Sequence, residues 1–195
     1  MNMRVLLAIV VLFGMSGSVC LPTLTGGDPR LDKIQLPPGF HISIWATVKN
    51  ARGMCRGSDG TVFVGSMGEG TVSALRDTNN DGAADERYIV ARELNMPVGV
   101  AFHDGSLFVS SVHRIVRIDH ILDHLADPPA PVDVFTGFPH ETHHGWKYIA
   151  FGPDGKLYVP VGAPCNICAS DDSLFATIPR LNPAGSGLGI VAHGV

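Results

Sequence analysis

The sequence predicts an all-β protein made of repeated four-stranded sheets. Two observations predict it. First, a short pattern occurs three times: Ala51–Gly65, Pro97–Ser110 and Gly145–Val159 each read as a strand, an x-Asp-Gly turn and an apolar strand. The turn aspartates Asp59, Asp104 and Asp154 are 45 and 50 residues apart. Second, each hairpin is followed by a further strand-like segment, Thr71–Leu75, Arg114–Ile118 and Thr177–Leu181. Tyr88–Ala91 and Val132–Phe135 supply a fourth to the first two. That period, with about four strands per unit, is the signature of a β-propeller blade.

Taken in order, residues 1–20 read as a signal peptide. Arg4 gives the positive start, Val5–Phe13 is an apolar run of signal length, and Ser16, Gly17 and Ser18 are small residues suited to cleavage. Cys20 offers a weaker match to a lipid-anchoring cysteine. The mature chain is therefore expected to be exported, periplasmic or secreted, with no membrane span. Residues 21–39 form a Pro/Gly-rich lead-in, and residues 40–195 the propeller portion. Phe40–Thr47 alternates as a strand should. In the third unit, Trp146–Phe151 and Lys156–Val161 are expected to pair about the Gly152–Gly155 turn. Propellers close with roughly four to eight blades. Three blades and the start of a fourth are expected to be the N-terminal part of a larger ring, poorly stable alone because sheet edges stay open.

The composition is globular and turn-rich: 195 residues with 23 Gly, 14 Pro, 45% hydrophobic and 16% charged. A net charge of −4 without a long basic run argues against nucleic-acid binding. After signal removal, Cys55, Cys165 and Cys168 remain. In an oxidising compartment, the plain reading of Cys165 and Cys168 is a local disulfide. A metal site would need further ligands, and a redox-active pair would need a strand–helix context that the pattern lacks.

Two polar motifs stand out. Asp77, Asn79, Asp81 and Asp85 occupy positions 1, 3, 5 and 9 of a calcium loop, with Gly82 at position 6. Position 12 is Tyr88 rather than the usual glutamate, and a solvated hairpin tip reads equally well. The other motif is the histidine cluster His140, His143 and His144 before the third hairpin. If a strand begins there, His143 and His144 face opposite ways. Pro139 and Gly145 disfavour the helix that would align His140 and His144 on a metal.

The block from His143 to Cys168 resembles the glucose/sorbosone dehydrogenase family, soluble quinoproteins with six-bladed propellers. The likeness runs from about Leu36 onward. It includes the Asp77–Gly82 loop, Leu94–Phe102 and Ile178–Gly187, and the sorbosone-dehydrogenase-like branch is the nearer match. The resemblance implies pyrroloquinoline quinone (PQQ) with Ca²⁺ as cofactors, a small-molecule sugar substrate and an external electron acceptor. It makes His144 the general base that takes the substrate hydroxyl proton, and Asn95 and Trp146 cofactor contacts. An imidazole, with an ordinary pKa of about 6.5, suits that task near neutrality.

Two departures are visible. Ala163 stands where glucose-oxidising members carry the aspartate that orients the base, and Leu94 where they carry a glutamine, leaving Asn95 as its stand-in. The family's remaining cofactor contacts fall beyond Val195, so this portion alone is expected to be inactive. The second reading is a non-catalytic propeller that binds a ligand or protein partner.

Overall fold

A computed structural model of the chain describes residues 28–168 and 170–194. The signal-peptide segment, Cys20 and the first part of the lead-in lie outside them. The chain divides at Ser43/Ile44 into two units. The described part of the first holds a single 3-10 turn at Leu31–Lys33.

The second unit is three antiparallel four-stranded meanders. The first contains β1 (Ala51–Arg56), β2 (Val62–Ser66), β3 (Val72–Arg76) and β4 (Glu86–Ala91). The second contains β5 (Val100–His103), β6 (Ser106–Ser110), β7 (Ile115–Ile118) and β8 (Val132–Phe135). The third contains β9 (Ala150–Phe151), β10 (Leu157–Tyr158), β11 (Thr177–Leu181) and β12 (Gly189–His193). Strand order follows the sequence in each sheet. First strands lie side by side, β1 against β5 and β5 against β9. These are three successive blades of a β-propeller. Among the described residues, no helix is long and apolar enough to cross a membrane.

The Asp-Gly turns form as expected. Asp104 and Gly105 both take positive φ, 45° and 76°, the backbone of a tight hairpin turn. The Asp59 carboxylate accepts hydrogen bonds from the Thr61 amide (2.9 Å) and hydroxyl (3.0 Å). Asp154 accepts from the Lys156 amide, the Tyr158 hydroxyl and the Arg180 guanidinium.

Packing between blades explains why the middle blade reads as nearly unbroken apolar strands. Side chains alternate along a strand, so β6 sends Leu107 and Val109 toward the first blade and Phe108 toward the third. Val100 and Val116 join Phe63, Val72 and Val90 in one core. Ala101 and Ile115 join Ile149, Leu157, Val159 and Leu181 in the other. Phe108 meets Phe151 edge-on, with ring centroids 4.9 Å apart.

Two strand expectations are corrected. Phe40–Thr47 forms no strand. Alternation supplies a face but not a hydrogen-bonded partner. The Ala84 amide does donate to the Trp45 carbonyl at 2.8 Å, but no ladder forms around that bond. The third hairpin is shorter than its apolar pattern, because residues 145–149 lie outside the paired strands. On its other strand, Pro160 has no amide to donate. Val159 and Val161, on either side of it, still hydrogen-bond across to Pro179 and Thr177. The third blade is completed by β12, which pairs with β11.

Candidate active site

Antiparallel meanders send alternate loops to opposite ends of each blade. The Asp59, Asp104 and Asp154 turns and the Asp77–Asp85 loop lie at one end. At the other lie the segments entering β1, β5 and β9, together with the β2–β3, β6–β7 and β10–β11 connections. Asn95 and the histidine cluster belong to this second end. The calcium-type loop therefore sits at the opposite end of its blade from the His144 end.

His144 occupies a left-handed backbone conformation, φ 52°. That is uncommon for a residue with a Cβ, and such strain concentrates at functional sites. The turn is fixed from both sides. A Cβ on Gly145 would lie 2.2 Å from the Glu141 carbonyl oxygen. A Cβ on Gly162 would lie 2.6 Å from the His144 carbonyl oxygen and 2.8 Å from its Cβ. Only glycine lets the β10–β11 connection press against His144 this closely.

That contact also supplies the ring's partner. His144 Nδ1 lies 3.1 Å from the Ala163 carbonyl oxygen. A carbonyl can only accept, so Nδ1 carries the hydrogen and, in the neutral ring, the Nε2 lone pair is left free. Position 163 thus holds the ring through its backbone carbonyl.

The opposite-faces expectation for His143 and His144 is corrected. The strand begins only at Ala150, and the left-handed turn brings the two rings to a 4.1 Å centroid separation. Trp146, 40% exposed, stands edge-on to His144 with centroids 6.0 Å apart. Asn95 is exposed on the neighbouring segment, and its backbone is clamped. Its amide donates to Ser111 Oγ (3.1 Å), and its carbonyl accepts from Ser111 Oγ (3.0 Å) and the Val112 amide (3.1 Å).

Sequence reasoning missed two features here. His113, in the β6–β7 loop, stacks on His140 with centroids 4.5 Å apart. Burial, then the charges of His140 and Arg114, hold His113 below the ordinary imidazole range. Lys147 is only 2% exposed, and burial pulls its pKa down to about 8. Its ammonium donates to the carbonyls of Val112 and Gly145 and lies 5.5 Å from the Phe138 ring centre. A lysine inside an alternating pattern reads as solvent-facing, so nothing in the sequence flagged it.

Cys165 and Cys168 are joined by a disulfide within the connection that carries Ala163. Cys55 is a free thiol whose pKa burial pushes up to about 12, which makes it a poor nucleophile.

At the far end, the Asp77 carboxylate accepts from the amides of Asp81 (3.2 Å) and Gly82 (3.0 Å), Asn79 Oδ1 shares the Asp81 amide (3.0 Å), and the Asp81 carboxylate accepts from the Ala83 amide (2.9 Å). Asp85 turns instead to Thr78, whose hydroxyl (2.8 Å) holds its carboxyl below the usual range. The oxygen donors suit calcium in kind. Among the described residues, however, no three His, Cys, Asp or Glu side chains converge as a metal site.

Fold and loops together define a β-propeller with a histidine-bearing loop end. Residues 28–178 match DUF7133, a domain of unknown function, and the chain belongs to that family. A Borreliella burgdorferi relative, described as an uncharacterized protein, is 26% identical over 146 residues. The match covers 69% of this chain and 37% of the relative.

Solved structures of similar fold include the holo PQQ domain of pyranose dehydrogenase from Coprinopsis cinerea. It is 18% identical with TM-score 0.58, covering 69% of this chain and 34% of that one. The calcium structure of a Trichoderma reesei Carbohydrate-Active Enzymes Family AA12 protein is 17% identical with TM-score 0.63, covering 74% and 38%. The PQQ-bound aldose sugar dehydrogenase of Streptomyces coelicolor is 23% identical with TM-score 0.55, covering 71% and 46%. The chain spans between about a third and a half of the length of these proteins. At these identities the structural likenesses show the fold.

Proposed function

We propose that this chain is part of a PQQ-dependent oxidoreductase that oxidises a sugar hydroxyl or hydrated aldehyde, of the sorbosone-dehydrogenase-like branch. One observation carries the reading: the Ala163 carbonyl takes the Nδ1 hydrogen of His144, which leaves Nε2 as a proton acceptor on the loop end. In this proposal His144 is the general base, and Nε2 receives the substrate hydroxyl proton. The orienting carboxylate that Ala163 lacks is replaced by a backbone carbonyl, which orients the ring without adding a negative charge.

The exposed indole of Trp146 and the outward amide of Asn95 would hold the quinone, a planar anionic group to which an aromatic edge and an amide donor are suited. When bound, the quinone supplies the acceptor for the hydride and passes electrons to an external acceptor. Calcium at Asp77, Asn79, Asp81 and Asp85 is a structural proposal. It requires Asp85 to leave Thr78, and its place at the opposite end keeps it apart from the chemistry. The Cys165–Cys168 disulfide supports an exported, oxidising location.

The observation favouring the second reading, a binding propeller without catalysis, is the missing carboxylate at position 163. The two readings separate on the intact protein. Quinone-dependent oxidation of an aldose or sorbosone that His144→Ala removes supports the enzyme. A folded protein that binds no quinone supports the binding module.

A further inference from the structure

We infer that Lys147 is the positioning residue that ties the His144 turn to the neighbouring blade and thereby aims the His144 ring. This rests on the reading of His144 as the base. Lys147 Nζ bridges two carbonyls from different blades: Gly145, the residue after His144, and Val112 in the β6–β7 loop. The Val112 amide in turn donates to the Asn95 carbonyl at 3.1 Å. One buried amine thus connects the segments carrying His144, Asn95 and His113.

The backbone of Lys147 is anchored as well, since Ser110 Oγ donates to its carbonyl at 2.8 Å. On the other side of the turn lie the Ala163 carbonyl and Gly162. A salt bridge does not explain the burial. Among the described residues no carboxylate pairs with Lys147, and its ammonium is met by two carbonyls and the Phe138 face. A buried cation with no counter-ion is costly. Its two hydrogen bonds both end on the backbone of loops at the His144 end.

Lys147→Met keeps the length and apolar stem but removes both donors. In the intact protein, the imidazole of His144 is followed by ¹⁵N-resolved NMR, which reports the Nδ1–H tautomer and its hydrogen bond. Turnover with PQQ and an aldose panel is measured alongside. The expected result is loss of the single Nδ1–H signature in Lys147→Met, with kcat down about 10²-fold, the scale of a misplacement near 1 Å. Lys147→Arg, which retains a cation and several donors, recovers part of both.

A Lys147→Met protein with the native His144 signature overturns the positioning role whatever its activity. Should Lys147→Met not fold, Lys147→Gln, whose shorter amide cannot span both carbonyls, is read by the same criterion. Failure of the base assignment shows differently: His144→Ala retains turnover, while the NMR result for Lys147 still stands or falls alone.

Discussion

Gly162→Ala tests the contact on which the His144 geometry depends. The added methyl would sit 2.6 Å from the His144 carbonyl oxygen and 2.8 Å from its Cβ. Restoring ordinary van der Waals separation requires about 0.6–0.8 Å of movement. Neither neighbour is the end of a flexible side chain, so the movement falls on backbone already held at φ 52°. Overpacking of this kind costs about 1–3 kcal/mol. For a chain of this size that is a drop in Tm of roughly 2–12 °C.

The same movement displaces the ring from the Ala163 carbonyl, and kcat of the intact, quinone-loaded protein is expected to fall about 10²-fold. Thermal unfolding followed by circular dichroism and dye-linked turnover measure the two effects. Native Tm and native kcat together would refute the close approach. A lowered Tm with native kcat would show that Gly162 is a packing residue and that activity does not depend on where His144 is held.

Further outcomes follow from other parts of the molecule. Lys147 has a folded pKa of about 8, below its ordinary 10.5. Below pH 8 both folded and unfolded states hold the proton. Between about 8 and 10.5 only the unfolded state does, so stability rises with pH there, by about 3 kcal/mol in total. Denaturant unfolding of the native protein against Lys147→Met should show that rise in the difference, and a flat difference would contradict it. Millimolar calcium should raise Tm, with about 2.7 kcal/mol gained at a hundredfold excess over Kd. Asp81→Ala should abolish the gain, and no calcium response in the native protein would leave the Asp77–Asp85 loop a hydrogen-bonded hairpin tip. Phe108→Ala, at a fully buried position between the second and third blades, should cost about 3–5 kcal/mol in equilibrium unfolding. A loss below 1 kcal/mol would show that those blades do not share a core.

What the sequence made legible was local. Asp59, Asp104 and Asp154 announce their hairpins because Asp-Gly turn chemistry is decided within four residues. Leu107, Phe108 and Val109 announce a strand buried on both faces. Phe40–Thr47 misled because the same alternation serves a strand that has no neighbour to pair with. The motif singled out His144 as a candidate but did not show its geometry. The left-handed turn and the Ala163 carbonyl, 19 residues away, depend on contacts made only after folding. Lys147 was invisible because charge in an alternating pattern signals solvent, and its two carbonyl partners include one 35 residues distant.

The proposed role of His144 is that of a base beside a bound quinone. The direct measurement is PQQ titration of the intact protein, with calcium present, followed by dye-linked oxidation of aldoses and sorbosone by native protein and His144→Ala. Both proteins are expected to bind PQQ, native turnover to require it, and His144→Ala to lose turnover by about 10² or more. Folded native protein that binds no PQQ, or His144→Ala that turns over at the native rate, would contradict it.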